Sequence, residues 1–319
     1  MKAVDIRRVS VIGAGLMGHG IAQEFALAGY EVDLHDLTEG ILQEALARIQ
    51  DNLRILQGIG LVSSEAAGPV PERIHTSSSL EKSCRNADLL VETVSEDLGL
   101  KKHLFNQFDR YCPKPTILAS NTSSFLPSQL ASLTQRPGKV AVTHYFNPPY
   151  LLPLVEIVRG PATTEETVQT LHDLLSRLGK KPVIVKKEIL GFIGNRLQMA
   201  LLREALSLLE LGVATAQDVD TVIQNGFGRR LAAAGIFEIF YIAGLDIVSE
   251  VASNLLPDME STRDASSLVR DKVQAGQLGV KTGKGFHDWT QDRAQVTKER
   301  IATVLAAVEQ LSSQPSARK

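Results

Sequence analysis

His144 and Glu156 stand twelve residues apart, each within or at the end of an apolar run. A neutral imidazole takes up a proton near neutral pH, and a carboxylate on its other nitrogen fixes the tautomer and stabilises the imidazolium that forms. Such a pair suits removal of a hydroxyl proton while hydride leaves a secondary alcohol. His144 follows the strand-like run Lys139–Thr143, and Asn147 and the stiff pair Pro148-Pro149 come directly after it. Open α/β sheets place their ligands at the carboxyl ends of strands. By spacing alone, a structural histidine reads as well as a catalytic one. The other six, His19, His35, His75, His103, His172 and His287, fall on expected surfaces or polar helix faces.

A second constellation lies at the N-terminus. Gly13, Gly15 and Gly18 form GxGxxG between the β-branched run Val9–Ile12 and the helical pattern His19–Ala28. The first glycine permits a tight turn, the second lets a pyrophosphate approach the backbone, and the third lets helix and strand pack closely. The helix N-terminus adds free amides for the phosphates. Leu16 and Met17 sit within this turn and join the expected cofactor-binding set. Asp36 ends the next strand-like run, 18 residues after Gly18, where a carboxylate can bind two ribose hydroxyls. No arginine occurs in Leu37–Gly40 to meet a 2′-phosphate, so the expected cofactor is NAD, not NADP. The alternative is a plain strand–helix turn with Asp36 on the surface.

The elements that must hold these residues alternate. Strand-like runs at Val9–Ile12, Tyr30–Leu34, Ala87–Val94, Thr116–Ala119 and Val140–Val142 have helical stretches between several of them. Alternation implies an α/β fold, a doubly wound parallel sheet of the Rossmann type with helices on both faces. Gly40–Leu61 reads as one long amphipathic helix, followed by a Gly/Pro/Ser-containing link, Val62–Pro71. Two more strands, Leu154–Val158 and Val183–Lys186, flank a helix near Glu165–Leu178. From Gly191 on, the spacing is helical at Phe192–Leu211, Ala216–Asn225 and much of Phe237–Leu256. The expected domains are therefore 1–188, binding the dinucleotide, and 189–319, all-α. The polar end, Ser312–Lys319, is expected to fray.

Several motifs together resemble the L-3-hydroxyacyl-CoA dehydrogenase family: Val9–Ala22, Ser120-Asn-Thr-Ser-Ser124, His144-Tyr-Phe-Asn-Pro148 with Leu154-Val-Glu156, Gly191-Phe-Ile-Gly-Asn-Arg196 and Lys281-Thr-Gly-Lys-Gly-Phe286. The resemblance covers nearly the whole chain. It implies His144 as base, Glu156 as its orienting partner, and Ser123 and Asn195 as hydrogen-bond donors to the reacting oxygen. It also implies that Glu96, Lys101, Ser123, Asn147 and Lys281 contact NAD; spacing alone would not reject solvated surface charge or loop capping for Glu96, Lys101, Asn147 and Lys281, or a turn residue for Ser123. The C-terminal helices would form a homodimer interface and close the substrate site.

The sequence also departs from that family. Arg48 and Arg54 are the only cations in Gly40–Leu61, where thioester members carry a lysine-rich stretch that meets CoA phosphates. The segment Gly226–Gly235 and the phrase Asn147-Pro-Pro-Tyr150 look more like the lambda-crystallin and L-gulonate dehydrogenase branch, which acts on free hydroxy acids. Arg229 or Arg230, in an expected loop, would then bind a substrate carboxylate bidentately, against the alternative of two solvated cations. A catalytically inactive dinucleotide-binding protein is the third reading.

Composition bounds the rest. The 319 residues are 44% hydrophobic and 22% charged, enough for two domains. A formal charge of −2 offers no basic field to nucleic acid. No apolar run approaches the ~20 residues of a membrane span, and Met1–Arg8 shows no signal-peptide core. Cys84 and Cys112 form no CxxC and read as reduced thiols of a cytoplasmic protein. A small-molecule substrate is expected, and no metal.

Overall fold

The computed structural model describes residues 2–313. It contains an eight-stranded sheet: β1 (Arg8–Ile12), β2 (Glu31–His35), β3 (Ile74–Ser77), β4 (Leu89–Glu92), β5 (Ile117–Ser120), β6 (Val140–Tyr145), β7 (Leu154–Arg159) and β8 (Lys181–Val185). Their order is β3-β2-β1-β4-β5-β6-β7-β8. Helices α1 (Gly18–Leu27), α2 (Glu39–Gly58), α3 (Ser64–Ala67), α4 (Leu80–Cys84), α5 (Leu98–Tyr111), α6 (Pro127–Ala131) and α7 (Glu165–Arg177) lie between the strands. α8 (Gly194–Glu210), α9 (Ala216–Asn225), α10 (Phe227–Leu231), α11 (Ile236–Ala243), α12 (Leu245–Leu255), α13 (Ser267–Gln274) and α14 (Gln291–Ser313) follow. The described residues divide into two compact units, one up to Arg196 and one from Leu197 on.

β1, β4, β5 and β6 are buried along almost their whole length, which is why they read as continuous apolar runs. One face of the sheet packs on α1, α2 and α7 through Phe25, Ile49 and Leu171, and the other on α4, α5 and α6 through Cys84, Phe105 and Leu130. This is the doubly wound arrangement. Phe25, Phe105 and Phe108 are fully buried, each contributing roughly 1.5–3 kcal/mol of apolar transfer energy.

The sheet is not wholly parallel. β7 runs antiparallel to β6, and β8 parallel to β7. Only residues 146–153 join β6 to β7, too few for the crossover that a parallel neighbour requires. β3 gave no apolar signal because it is an edge strand whose only buried residue is Ile74. The long amphipathic helix is α2, started by the Thr38 side chain accepting from the Ile41 amide. The expected link after it holds the short helix α3. The helical stretch 237–256 is split into α11 and α12 at Gly244, whose φ of +94° no helix accommodates. The expected loop 226–235 contains α10, because the helix restarts directly after Gly226. His19 and His35, expected near the surface, are buried, each with Nδ1 against a backbone carbonyl. Of the tail expected to fray, α14 reaches Ser313, and residues 314–319 lie outside the described residues. Among the described residues, no helix is long and apolar enough to cross a membrane.

Candidate active site

The three glycines of the first turn differ in what a side chain would meet. At Gly13, with φ +103°, a Cβ would lie 2.9 Å from the Thr93 carbonyl. At Gly18 it would lie 1.8 Å from the Gly13 oxygen, so the start of α1 sits directly on the turn. At Gly15 it would meet no atom within 4 Å. Two glycines thus serve packing, while the third leaves open surface at a helix N-terminus, a cradle that fits a dinucleotide's diphosphate. Leu16, 68% exposed, flanks that opening, and Met17 packs partly against the core. Asp36 is at the turn as well: Oδ2 accepts from the Ala14 amide at 2.7 Å and Oδ1 from the Leu37 amide at 2.7 Å.

His144 and Glu156 face each other directly across the β6–β7 ladder. His144 Nδ1 and Glu156 Oε2 are 2.8 Å apart, and both residues are buried. The other carboxylate oxygen accepts from the amides of Ile193 and Gly194, each at 2.9 Å. Those amides belong to a tight turn with positive φ at Gly191 (75°) and Phe192 (52°). A non-glycine residue in that region costs ~1–3 kcal/mol, and such strain gathers at functional sites. α8 begins at Gly194, so the carboxylate also meets a helix N-terminus. Burial pushes the Glu156 carboxyl up, but the His144 hydrogen bond and the Gly194 and Ile193 amides outweigh it and hold the group below the usual carboxylate range. Glu156 is therefore ionised, and His144 Nδ1–H is the donor. Phe146 and Phe192 close around the imidazole, with ring centroids 4.7 and 5.5 Å away.

The loop after β5 comes to the same place. Asn121 Oδ1 accepts from the Tyr145 amide at 2.8 Å, tying the loop to the residue beside His144. Asn195 Nδ2 reaches the Ser123 carbonyl at 3.5 Å. Glu96 Oε1 accepts from Thr122 Oγ1 (2.5 Å), the Ser123 and Ser124 amides (both 3.1 Å) and Ser124 Oγ (2.6 Å). Desolvation raises the Glu96 carboxyl, but the Ser124 and Thr122 hydroxyls, Lys101 and the Ser123 amide bring it below its ordinary value. His144, Glu156, Ser123, Asn195 and Glu96 are thus one connected group.

The family description "3-hydroxyacyl-CoA dehydrogenase, NAD binding domain" matches residues 8–189, and "3-hydroxyacyl-CoA dehydrogenase, C-terminal domain" matches residues 191–289. The chain belongs to the 3-hydroxyacyl-CoA dehydrogenase family. It is an NAD-dependent oxidoreductase interconverting a 3-hydroxyacyl and a 3-oxoacyl group. It is 33% identical over 285 residues to the 3-hydroxybutyryl-CoA dehydrogenase of Clostridioides difficile, covering 89% of this chain and 100% of that one. It is 32% identical over 307 residues to the 5-formyl-3-hydroxy-2-methylpyridine 4-carboxylate 5-dehydrogenase of Mesorhizobium japonicum, covering 96% and 98%. A crystal structure of an enzyme of the latter activity, described as an NAD+-dependent dismutase, superposes with a TM-score of 0.90 at 31% identity, covering 97% of this chain and all of that one. The (S)-3-hydroxybutyryl-CoA dehydrogenase of Ralstonia eutropha gives 0.74 at 31% identity, over 90% and 100%.

Of the other expected residues of this dehydrogenase, Lys101 adjoins this group through Glu96. Lys101, for which solvated surface charge was the alternative, is 1% exposed, with its ammonium among Glu92, Val94 and Glu96. Asn147 is exposed in the loop between β6 and β7. Lys281, Arg229 and Arg230 are exposed residues of the second unit. Arg229 caps its own neighbourhood, donating to the Gln224 carbonyl (3.1 Å) and Asn225 Oδ1 (2.8 Å). On α2, Arg48 pairs with Glu44 and Arg54 with Asp51, so both cations are already matched. Sequence reasoning gave no role to Phe146, Phe192 or the Ile193 and Gly194 amides. The signal was Gly194 itself: a Cβ there would lie 2.4 Å from Phe146 Cζ.

Proposed function

We propose that His144 is the base of this dehydrogenase. Glu156 holds Nδ1–H, which leaves Nε2 to take the hydroxyl proton and Glu156 to stabilise the imidazolium. Ser123 and Asn195 hydrogen-bond the reacting oxygen. NAD, when bound, supplies the hydride acceptor. Asp36 takes the ribose hydroxyls, the turn Gly13–Gly18 with Leu16 and Met17 receives the diphosphate, and Glu96, Lys101, Ser123, Asn147 and Lys281 contact the cofactor. The observation that carries this reading is the buried His144–Glu156 pair, its carboxylate fixed by two further amides. The test is His144→Gln. Turnover should fall ~10²–10⁴-fold, the range of general acid–base catalysis, with NADH affinity little changed. Turnover near wild type would remove the base assignment.

The leading substrate class is a CoA thioester. A free carboxylic acid is a second reading, supported by the matched cations of α2 and by the whole-chain likeness to an enzyme named for a pyridine carboxylate. Arg230 would bind the carboxylate, with Arg229 beside it. Comparing kcat/KM for 3-hydroxybutyryl-CoA, 3-hydroxybutyrate and L-gulonate separates the two. Efficient thioester turnover, unchanged by Arg230→Ala, rejects the second reading.

The assembly we propose is a homodimer built on residues 189–319, with 1–188 as the NAD-binding domain. α11 is apolar nearly all round, yet Phe237 is 74% and Ile242 86% exposed. A surface of that kind marks an interface. Ile242→Glu should shift light-scattering mass from two chains to one. A cytoplasmic location is supported by the two free, buried thiols, Cys84 and Cys112.

A further inference from the structure

We propose that Glu92, which touches neither turn nor base, is a positioning residue for the reaction, acting through Lys101 and Ser120 on the loop that carries Ser123. It rests on the reading of Ser123 as a group that orients the substrate oxygen.

Glu92 is the last residue of β4, level with Ile12 of β1 and Ser120 of β5, and it is wholly buried. Both of its oxygens are used. Oε1 accepts from Lys101 Nζ and the Val94 amide, each at 2.7 Å, and Oε2 accepts from Ser120 Oγ at 2.6 Å. An ammonium has three hydrogens. Lys101 has three acceptors around it: Glu92, the Val94 carbonyl at 3.2 Å and Glu96 Oε2 at 3.3 Å. Glu92 and the Val94 carbonyl accept hydrogen bonds from it and Glu96 forms an ion pair with it, so this lysine joins two carboxylates.

The second carboxylate is the one that grips the loop. Glu96 Oε1 holds Thr122, Ser123 and Ser124, while Ser120 Oγ, itself held by Glu92, accepts from the Thr122 amide at 3.2 Å. The segment 120–124 is therefore clamped at one end by Glu92 and along its middle by Glu96, with Lys101 fixing the distance between the two acids. A buried ion pair is a weak source of stability, because desolvation offsets most of the attraction. It does impose geometry, since each partner is strongly disfavoured anywhere else. Displacement of a positioning group by about 1 Å can cost ~10²-fold in rate.

Glu92→Gln keeps the shape and removes the charge that holds Lys101. Its kcat should fall about 10–100-fold, with NADH affinity by fluorescence titration little changed. In a Ser123→Ala background the same substitution should cost less than about threefold, because the group it positions is gone. Ser120→Ala, which leaves no charge unpaired, should give a smaller loss with the same dependence on Ser123, and it reads the coupling if Glu92→Gln does not fold. Unchanged kcat in Glu92→Gln with only a lowered Tm, strictly additive losses with Ser123→Ala, or wild-type turnover in Ser123→Ala would each overturn the proposal. His144→Gln is measured alongside: lost turnover there, with Glu92→Gln active, sinks the positioning role alone, whereas retained turnover there sinks the base assignment instead.

Discussion

Glu156→Gln tests the orienting carboxylate with little change in shape. The new amide has two ways to sit. With its nitrogen toward Ile193 and Gly194, two backbone donors now 2.9 Å from an acceptor would face a donor, at ~1–3 kcal/mol for each buried group left unmatched. With its oxygen toward those amides, both bonds survive and the NH2 faces His144 Nδ1. That nitrogen must then accept, so the ring proton moves to Nε2, the position that has to be free to take up a proton. The second orientation wins, because it shifts only a tautomer. The equivalent carboxylate-to-amide change in a serine-protease triad lowers kcat ~10⁴-fold by the same route. A loss of ~10³–10⁴-fold is expected here, about 4–5.5 kcal/mol at 1.36 kcal/mol per decade. NADH formation gives kcat, and ring ¹⁵N shifts of His144 give the tautomer. A variant within about tenfold of wild type, with the proton still on Nδ1, would refute the reasoning.

Three further outcomes are expected. Asp36→Ala should narrow the preference for NADH over NADPH in fluorescence titrations, since a carboxylate disfavours the 2′-phosphate; an unchanged ratio would remove Asp36 from the ribose site. Ser123→Ala and Asn195→Ala should each lower kcat and should combine less than additively, because both serve one oxygen; a strictly additive double variant would make one of them structural. The depressed Glu156 carboxyl contributes stability that is fully present above its unfolded value, ~4.3, and is lost as pH falls through its lower folded value. The Tm gap between wild type and Glu156→Gln should therefore close on acidification, and a gap that widens would contradict the ionised pair.

Local chemistry made the first half of this fold legible. The turn Gly13–Gly18 needs glycine for reasons visible in three residues, and the buried strands β1, β4, β5 and β6 announce themselves as apolar runs whatever their neighbours. Position singles out Asp36 and His144 as candidates, each at or just past a strand end in a fold whose ligands gather there, while spacing alone leaves His144 equally readable as structural. The family motifs named Glu156, Ser123 and Asn195. β3 escaped because an edge strand has little to bury, and the break at Gly244 escaped because a lone glycine leaves helical spacing intact.

Pairings depended on the fold. Twelve residues of sequence do not say that His144 and Glu156 are cross-strand partners. The antiparallel turn through residues 146–153 decides it, because strands joined by so short a connection must run in opposite directions. Nor does sequence show what keeps Glu156 ionised: two amides from a left-handed turn some forty residues on, held there by Phe192 in the core and by a glycine that lets Phe146 approach. The same limit hid the pairing of Lys101 with Glu92. A lysine in a helix's first turn and a glutamate ending a strand look like surface charge until packing buries both and leaves each as the other's partner. Sequence determined which groups were available and where the backbone could turn. Tertiary structure decided which of them met, because hydrogen bonds and desolvation act over a few ångströms of space and take no account of separation along the chain.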